Sequence, residues 1–390
     1  MHTYSRTVSL GLASIALLGS LSCSGTQQNN NEQSAKGGEQ KLARWVAQYR
    51  SPTSLKQQGV NLSFFYYSSI SVVSPSVVFV AGDVPGPKGD EDRVNIILRT
   101  TDGGQSWAEK TVEQPGIVIP RLNCIYFVSP EVGWVVGVDL ADNPLLLKTT
   151  DAGENWVVSR IGVNQIPMIV FFTDSETGWM GGATAAPGED EGSGGPSVIL
   201  GTTDGGRTWQ PQLNTPASIY DICFVDKTHG WASGTRGAIY HTDDGGRTWN
   251  SQRSELEMGD GPINVSSEAA KQFGLVGIQF IDAEHGFAAA SAEEEDTGRL
   301  LATSNGGTTW RRQWIVADSG VRDVCFINPN EGWAVTDRGQ YVYHTIDGGR
   351  TWMSEPKVFE QDVTMVRLGA ADAKHVWAVG GGAVFFRVSE

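Results

Sequence analysis

The octet TTDGGRTW, residues 202–209, decides the fold because near-copies of it recur along the chain. TTDGGQSW ends at Trp107, TTDAGENW at Trp156, TDDGGRTW at Trp249, TSNGGTTW at Trp310 and TIDGGRTW at Trp352. A chemical site is seldom copied so often, so the octet reads as a structural brace. Its residue types agree. Asp102, Asp151, Asp204, Asp244 and Asp347 can accept hydrogen bonds from turn amides, the glycines allow positive φ, and the threonines bond locally. Trp107, Trp156, Trp209, Trp249, Trp310 and Trp352 supply large apolar surface for packing between units. Asn305 keeps the acceptor without the charge, and Ala152 replaces one glycine; both leave a workable turn.

A second signal precedes each octet. YFVSPEVGWVVG ends at Gly137, VFFTDSETGWMGG at Gly182, ICFVDKTHGWASG at Gly234, IQFIDAEHGFAAA at Ala290 and VCFINPNEGWAV at Val335. SVVSPSVVFVAG near the start and GAADAKHVWAVGG near the end bring the count to seven units. Phe127, Phe172, Phe224, Phe280 and Phe326 each stand six residues before their glycine, as on a strand with one buried face. Units of about 40 to 60 residues reading strand, turn, Gly-Trp strand, loop, strand, Asp-Gly-Gly turn, strand predict an all-β, seven-bladed propeller of four-stranded blades. The last unit has no octet. Its outer strand is expected from LARWVAQYRS near the start, with Trp45 in the part of an octet Trp, which closes the ring and removes its seam.

Composition supports this reading. In 390 residues, Gly 48 and Trp 13 with only 19% charged residues suit short strands and tight turns. A net charge of -15 excludes nucleic acid, whose phosphates would be repelled, and fits a partner with basic segments or cations.

Residues 1–22 carry one Arg6 and an apolar run from Val8 to Leu21, a secretory signal too short to span a membrane. The small residues before Cys23 resemble a bacterial lipobox, with Ser20 where Leu is usual, so Cys23 is expected to be lipidated. Residues 23–42 are polar and without aromatics, a tether reaching roughly 25 Å. Residues 43–390 form the propeller. The expectation is an exported monomer, lipid-anchored at the cell envelope, touching the membrane through that anchor alone. Cys124, Cys223 and Cys325 each lie in the strand that opens a unit and are read as buried thiols, too far apart to pair.

The octet is the Asp-box, or bacterial neuraminidase repeat, and its coupling to a GWAVG-like strand in nearly every unit resembles the Ycf48/HCF136 family. The resemblance covers residues 43–390. It implies a seven-bladed propeller that assists photosystem II assembly by binding protein, without catalysis or cofactor. The acidic balance of this chain departs from the basic partner-facing surface the resemblance implies.

The Asp-box also occurs in sialidases and glycanases, so a glycan-binding or glycan-cleaving propeller is the alternative. A sialidase needs an arginine clamp; here Arg207, Arg247 and Arg350 belong to octet turns, and VIPRL around Arg121 reverses the expected order. A glycosidase needs only two carboxylates at a suitable separation, and no local signature selects a pair. His229, His285 and His375 share one repeat position and His241 and His344 another, so repetition accounts for them. No metal-ligand spacing, phosphate loop or nucleophile motif is present, and neither catalytic residue, metal nor cofactor is expected.

Specificity should reside in the parts that do not repeat. Three acidic insertions follow the Gly-Trp-type strand in the first, third and fifth units: around Asp90, Glu91 and Asp92; around Glu189, Asp190 and Glu191; and around Glu293, Glu294, Glu295 and Asp296. A meander places that loop on the face away from the octets. They are expected to form an acidic rim for a basic protein segment or divalent cations, against the simpler reading of solvated loops. The long link between the fourth octet and the fifth unit is expected on the same face.

Overall fold

The computed structural model describes residues 43–50, 66–86, 89–184, 196–252, 256–258, 261–263, 273–292, 299–314, 320–336, 341–355 and 365–389. Their strands group into seven separate sheets, antiparallel apart from one parallel pairing at blade V. Blade I comprises Tyr66–Val72, Val78–Gly86, Gly89–Thr100 and Ala108–Lys110; blade II comprises Arg121–Phe127, Gly133–Val138, Pro144–Thr149 and Val157–Arg160. Blade III comprises Ile166–Phe172, Gly178–Ala183, Ser197–Thr202 and Gln210–Thr215; blade IV comprises Ile219–Phe224, Gly230–Gly234, Ile239–Thr242 and Asn250–Ser251. Blade V comprises Phe273–Phe280, His285–Ala292, Arg299–Ser304 and Trp310–Trp314; blade VI comprises Val321–Phe326, Gly332–Thr336, Val342–Thr345 and Met353–Ser354. Blade VII comprises Met365–Asp372, His375–Gly380 and Ala383–Val388, and its fourth strand is Arg44–Arg50 from the beginning of the chain. The expected ring closure is therefore present.

The buried core lies between blades. Each hydrophobic cluster draws on two neighbouring blades, one cluster for each of the seven seams. At five of the seams an aromatic ring of the second strand stacks on the inner-strand phenylalanine of the next blade. Phe79 lies 3.5 Å from Phe127, Trp134 3.6 Å from Phe172, Trp179 3.5 Å from Phe224, Trp231 3.6 Å from Phe280 and Phe287 3.4 Å from Phe326, between ring centroids. The same phenylalanine covers the glycine opposite it in its own blade: a Cβ on Gly230 would stand 2.3 Å from the Phe224 ring. The six-residue spacing thus records one ring that fills a seam and needs a bare Cα beneath it.

The octet tryptophans close the outer end of each seam, Trp209 meeting the edge of Phe172 at 6.1 Å. Deeper in the seam, stacked on the next blade's phenylalanine, lies the second-strand tryptophan of blades II, III and IV. Its indole N–H ties the blades together: Trp134 Nε1 donates to Gly205 O (3.1 Å), Trp179 to Gly245 O (3.3 Å) and Trp231 to Gly306 O (3.1 Å).

The octet itself is a hydrogen-bonded cage. Thr202 Oγ1 donates to Asp204 Oδ1 (2.9 Å) and accepts from Gly206 N (3.0 Å), while Asp204 accepts from Thr208 N (2.9 Å) and Thr208 Oγ1 (2.7 Å). The Thr208 amide and hydroxyl hold the Asp204 carboxyl well below its usual range, at about 2. Asn305 builds the same cage with Thr309, and Ala152 adopts φ 62 where the other octets have glycine. Gly205 N donates to Glu176 O (2.8 Å), so the octet rests on the turn between its blade's inner and second strands. These turns share one face. Blade-to-blade connections and the loops between second and third strands share the other, the crossover face.

Trp45 pairs with Arg387, one step beyond Phe386 and Trp377. Trp209 stands one step beyond Gly201 and Trp179 in the same way, so Trp45 does occupy an octet position. In place of the missing cage, Trp45 Nε1 donates to Glu355 Oε2 (2.6 Å) and Arg387 Nε to Glu355 Oε1 (2.6 Å), with all three side chains buried. Arg387 also covers the Trp333 ring at 5.4 Å. A buried ion pair locks the first strand and the last to blade VI.

Candidate protein-binding face

Topology places the three insertions between second and third strands of blades I, III and V, as read from the sequence. Asp90, Glu91 and Asp92 belong to the backbone of the third strand of blade I, which pairs back to Gly86 at Gly89. Glu189, Asp190, Glu191, Glu293, Glu294, Glu295, Asp296 and Cys23 lie outside the described residues.

The long link departs from expectation. Leu256–Met258 runs parallel to the outer strand of blade V, with Leu256 opposite Trp310, and Gly261–Ile263 folds back on it. This part of the link descends the outside of blade V to octet level, making a six-stranded sheet. Trp310 is 1% exposed as a result, whereas Trp209 and Trp249 are partly exposed.

On the crossover face of blade III a groove of about 510 Å³ opens between the stems of the second insertion and the flanking connections. Its walls are Asn164, Gln165, Thr184, Pro196, Ser197, Val198, Asn214, Thr215 and Pro216. The groove exists because pairing between second and third strands stops at Met180 and Leu200. Gln165 fills the gap above, donating to Val198 O (3.0 Å) and accepting from Val198 N (2.9 Å) and Ser197 Oγ (3.2 Å). Asn164 and Asn214 are both exposed, so the groove offers amide donors and acceptors suited to an extended backbone.

Along the axis, the inner strands are stitched blade to blade. Ser69 Oγ accepts from Ile125 N (3.1 Å), Asp221 Oδ2 from Ile278 N (2.9 Å) and Asp323 Oδ2 from Leu368 N (2.7 Å). The two carboxylates converge on Gly277: a Cβ there would stand 3.5 Å from Asp323 Oδ1 and 3.7 Å from Asp221 Oδ2. Burial pushes Asp221 up to about 7 and raises Asp323 as well, with Arg367 opposing both shifts. Nothing in the sequence had selected this pair.

The other candidate groups serve the fold. His229, His285 and His375 each turn Nδ1 to the aspartate three residues earlier, Asp226 (2.8 Å), Asp282 (3.0 Å) and Asp372 (2.9 Å). His241 and His344 stack on Trp231 and Trp333, both at 4.8 Å. Cys124, Cys223 and Cys325 are free thiols, and burial pushes Cys325 up to about 12. Among the described residues no group of three or more His, Cys, Asp or Glu side chains is placed to hold a metal ion.

A family model described as photosynthesis system II assembly factor YCF48 matches residues 92–167 and 210–269. No curated protein matches the sequence. Among solved structures, YCF48 bound to D1 peptide superposes with a TM-score of 0.60 at 16% identity, covering 90% of this chain and 98% of that one. YCF48 from Cyanidioschyzon merolae gives 0.58 at 20% identity, covering 88% and 98%. The GH74 xyloglucanase from Xanthomonas campestris gives 0.59 at 11% identity, but the match covers 53% of that enzyme against 88% of this chain. In repeat and in fold the chain is thus a Ycf48-like Asp-box β-propeller.

Proposed function

We propose that this protein is a non-enzymatic scaffold, tethered at a membrane through Cys23, that holds a segment of a protein partner on its crossover face. The observation that carries the reading is the blade III groove, where the accessible amides of Asn164 and Asn214 stand across from the stems of an acidic insertion. On the opposite face the Asp-box carboxylates and hydroxyls are spent on their own turns. A peptide-bound YCF48 among the similar structures supports the same mode of use. Amide side chains would bond the backbone of an extended segment, and the acidic insertions would favour basic side chains on it. Because the blades fix the groove in advance, binding would lose little ordering entropy. Capture of the tagged protein with cross-linked partners from its own membranes tests this: recovery of a membrane-complex subunit supports it, and recovery of envelope glycan alone refutes it.

A second reading, glycan cleavage, is favoured by one observation, the convergence of Asp221 and Asp323 with one carboxyl raised toward neutrality. Both carboxylates hold backbone amides of the next blade, which suits a structural stitch better than an acid and a nucleophile. Release of reducing sugar from envelope glycans that Asp221→Asn and Asp323→Asn each abolish would establish the second reading.

A further inference from the structure

The chain enters the propeller on the octet face. In the strand Arg44–Arg50, Arg44 lies opposite Val388 and Arg50 opposite Ala383, and Ala383 follows the Gly381-Gly382 turn of the crossover face. Whatever precedes residue 43 therefore meets the ring at the octet level, beside blade VI, to which Trp45 is bonded through Glu355.

The octet turn of blade VI differs from the others. Ile346 stands where they have Thr101, Thr150, Thr203, Asp243 and Ser304; Met353 follows its tryptophan, as Val157 follows that of blade II. Ile346 is 56% exposed and Met353 49%. Arg350 on the same turn, Lys374 on the neighbouring turn of blade VII and Arg44 at the entry are all exposed. None of the three makes an ion pair among the described residues. Of the nearby carboxylates, Asp347 is held by Thr345 and Thr351, Asp372 by His375 and the Lys374 amide, and Glu331 by His344. In a chain of net charge -15, exposed apolar and basic side chains occupy the octet-face turn of blade VI and the octet end of blade VII, the blade at which the polypeptide arrives.

We propose that the octet turn of blade VI, with Arg44 and Lys374 at the octet face of the adjoining blade VII, docks on an anionic lipid bilayer. Exposed apolar side chains flanked by cations match the headgroup boundary of such a surface. The placement agrees with a tether of roughly 25 Å running back to Cys23, and to that extent it rests on the anchored reading. With this face on the membrane, the groove of blade III points away from it. Contact through the folded domain goes beyond contact through the anchor alone.

The test uses the chain from residue 23 onward with Cys23→Ser, which keeps every described strand and carries no acyl chain. Co-sedimentation should occur with phosphatidylcholine vesicles containing phosphatidylglycerol, fall with added salt, and be absent with phosphatidylcholine alone. Arg350→Gln with Lys374→Gln should weaken it roughly thirtyfold, each cation contributing about fivefold near an anionic surface. Ile346→Ser with Met353→Ser should weaken it too, which guards against misfolding of the charge variant. No sedimentation with the anionic vesicles would overturn the proposal. So would an equal loss in Val118→Ser with Leu140→Ser, two exposed apolar residues of the crossover face. The mass of the mature wild-type protein reads acylation of Cys23 separately and bears on the anchor alone.

Discussion

Replacing Asp221 by asparagine should make the protein more stable at neutral and alkaline pH and leave it unchanged in acid. Burial holds the Asp221 carboxyl at about 7 against an ordinary value of 3.8. At pH below about 4 the folded and unfolded chains both carry the proton, and the group contributes no difference. As pH rises from about 4 to about 7, the unfolded chain ionises while the folded chain holds its proton, so stability falls. Above about 7 the loss is complete, and three pKa units correspond to roughly 4 kcal/mol. The amide of the Asp221→Asn variant would keep an oxygen to accept from Ile278 N–H, now at 2.9 Å, and would not titrate. The expected gain is therefore near zero at about pH 4 and on the order of 2–4 kcal/mol at about pH 8. Urea unfolding of both proteins across this range, followed by tryptophan fluorescence, measures it. A difference that does not change with pH, or a variant less stable at the alkaline end, would show that the axial carboxylates are not held as described.

Two glycines separate ring crowding from ordinary van der Waals contact. Gly230→Ala drives a methyl into the Phe224 ring and should cost about 1–3 kcal/mol or more, whereas Gly277→Ala meets its nearest neighbour at 3.5 Å and should unfold within about 0.5 kcal/mol of wild type. Trp45→Phe keeps an aromatic ring but removes the donor to Glu355, and should lower unfolding stability by about 1–3 kcal/mol in a denaturant titration. An unchanged midpoint for Trp45→Phe would mean that the first strand does not close the ring through this bond.

What could be read from the sequence was whatever repeats. Phe127 and Gly133 showed their spacing six residues apart, and Trp45 fell where a seventh outer strand was missing; both are local patterns copied from blade to blade. The reason for the Phe-Gly spacing, a ring stacked across a seam and lying on a bare Cα, needed the third dimension. Asp221 and Asp323 were invisible because the inner strands of other blades use Ser69 and Cys124 for their contacts across the seam, and no shared residue type marks them. The link to the fifth blade was misplaced because its parallel pairing with Trp310 depends on a distant partner strand, which no turn signal announces. The groove of blade III arises from strands that part above Met180 and Leu200, a register event rather than a motif.

The most direct test of the scaffold reading is site-specific photo-cross-linking in native membranes, with the probe at Asn214 on the crossover face or at Arg207 on an octet turn. Both side chains are exposed. The account predicts that Asn214 captures a membrane-protein partner, with the adduct mapping to a basic segment, and that Arg207 does not. Capture of that partner from Arg207 alone, or adducts at Asn214 only with glycan, would contradict it.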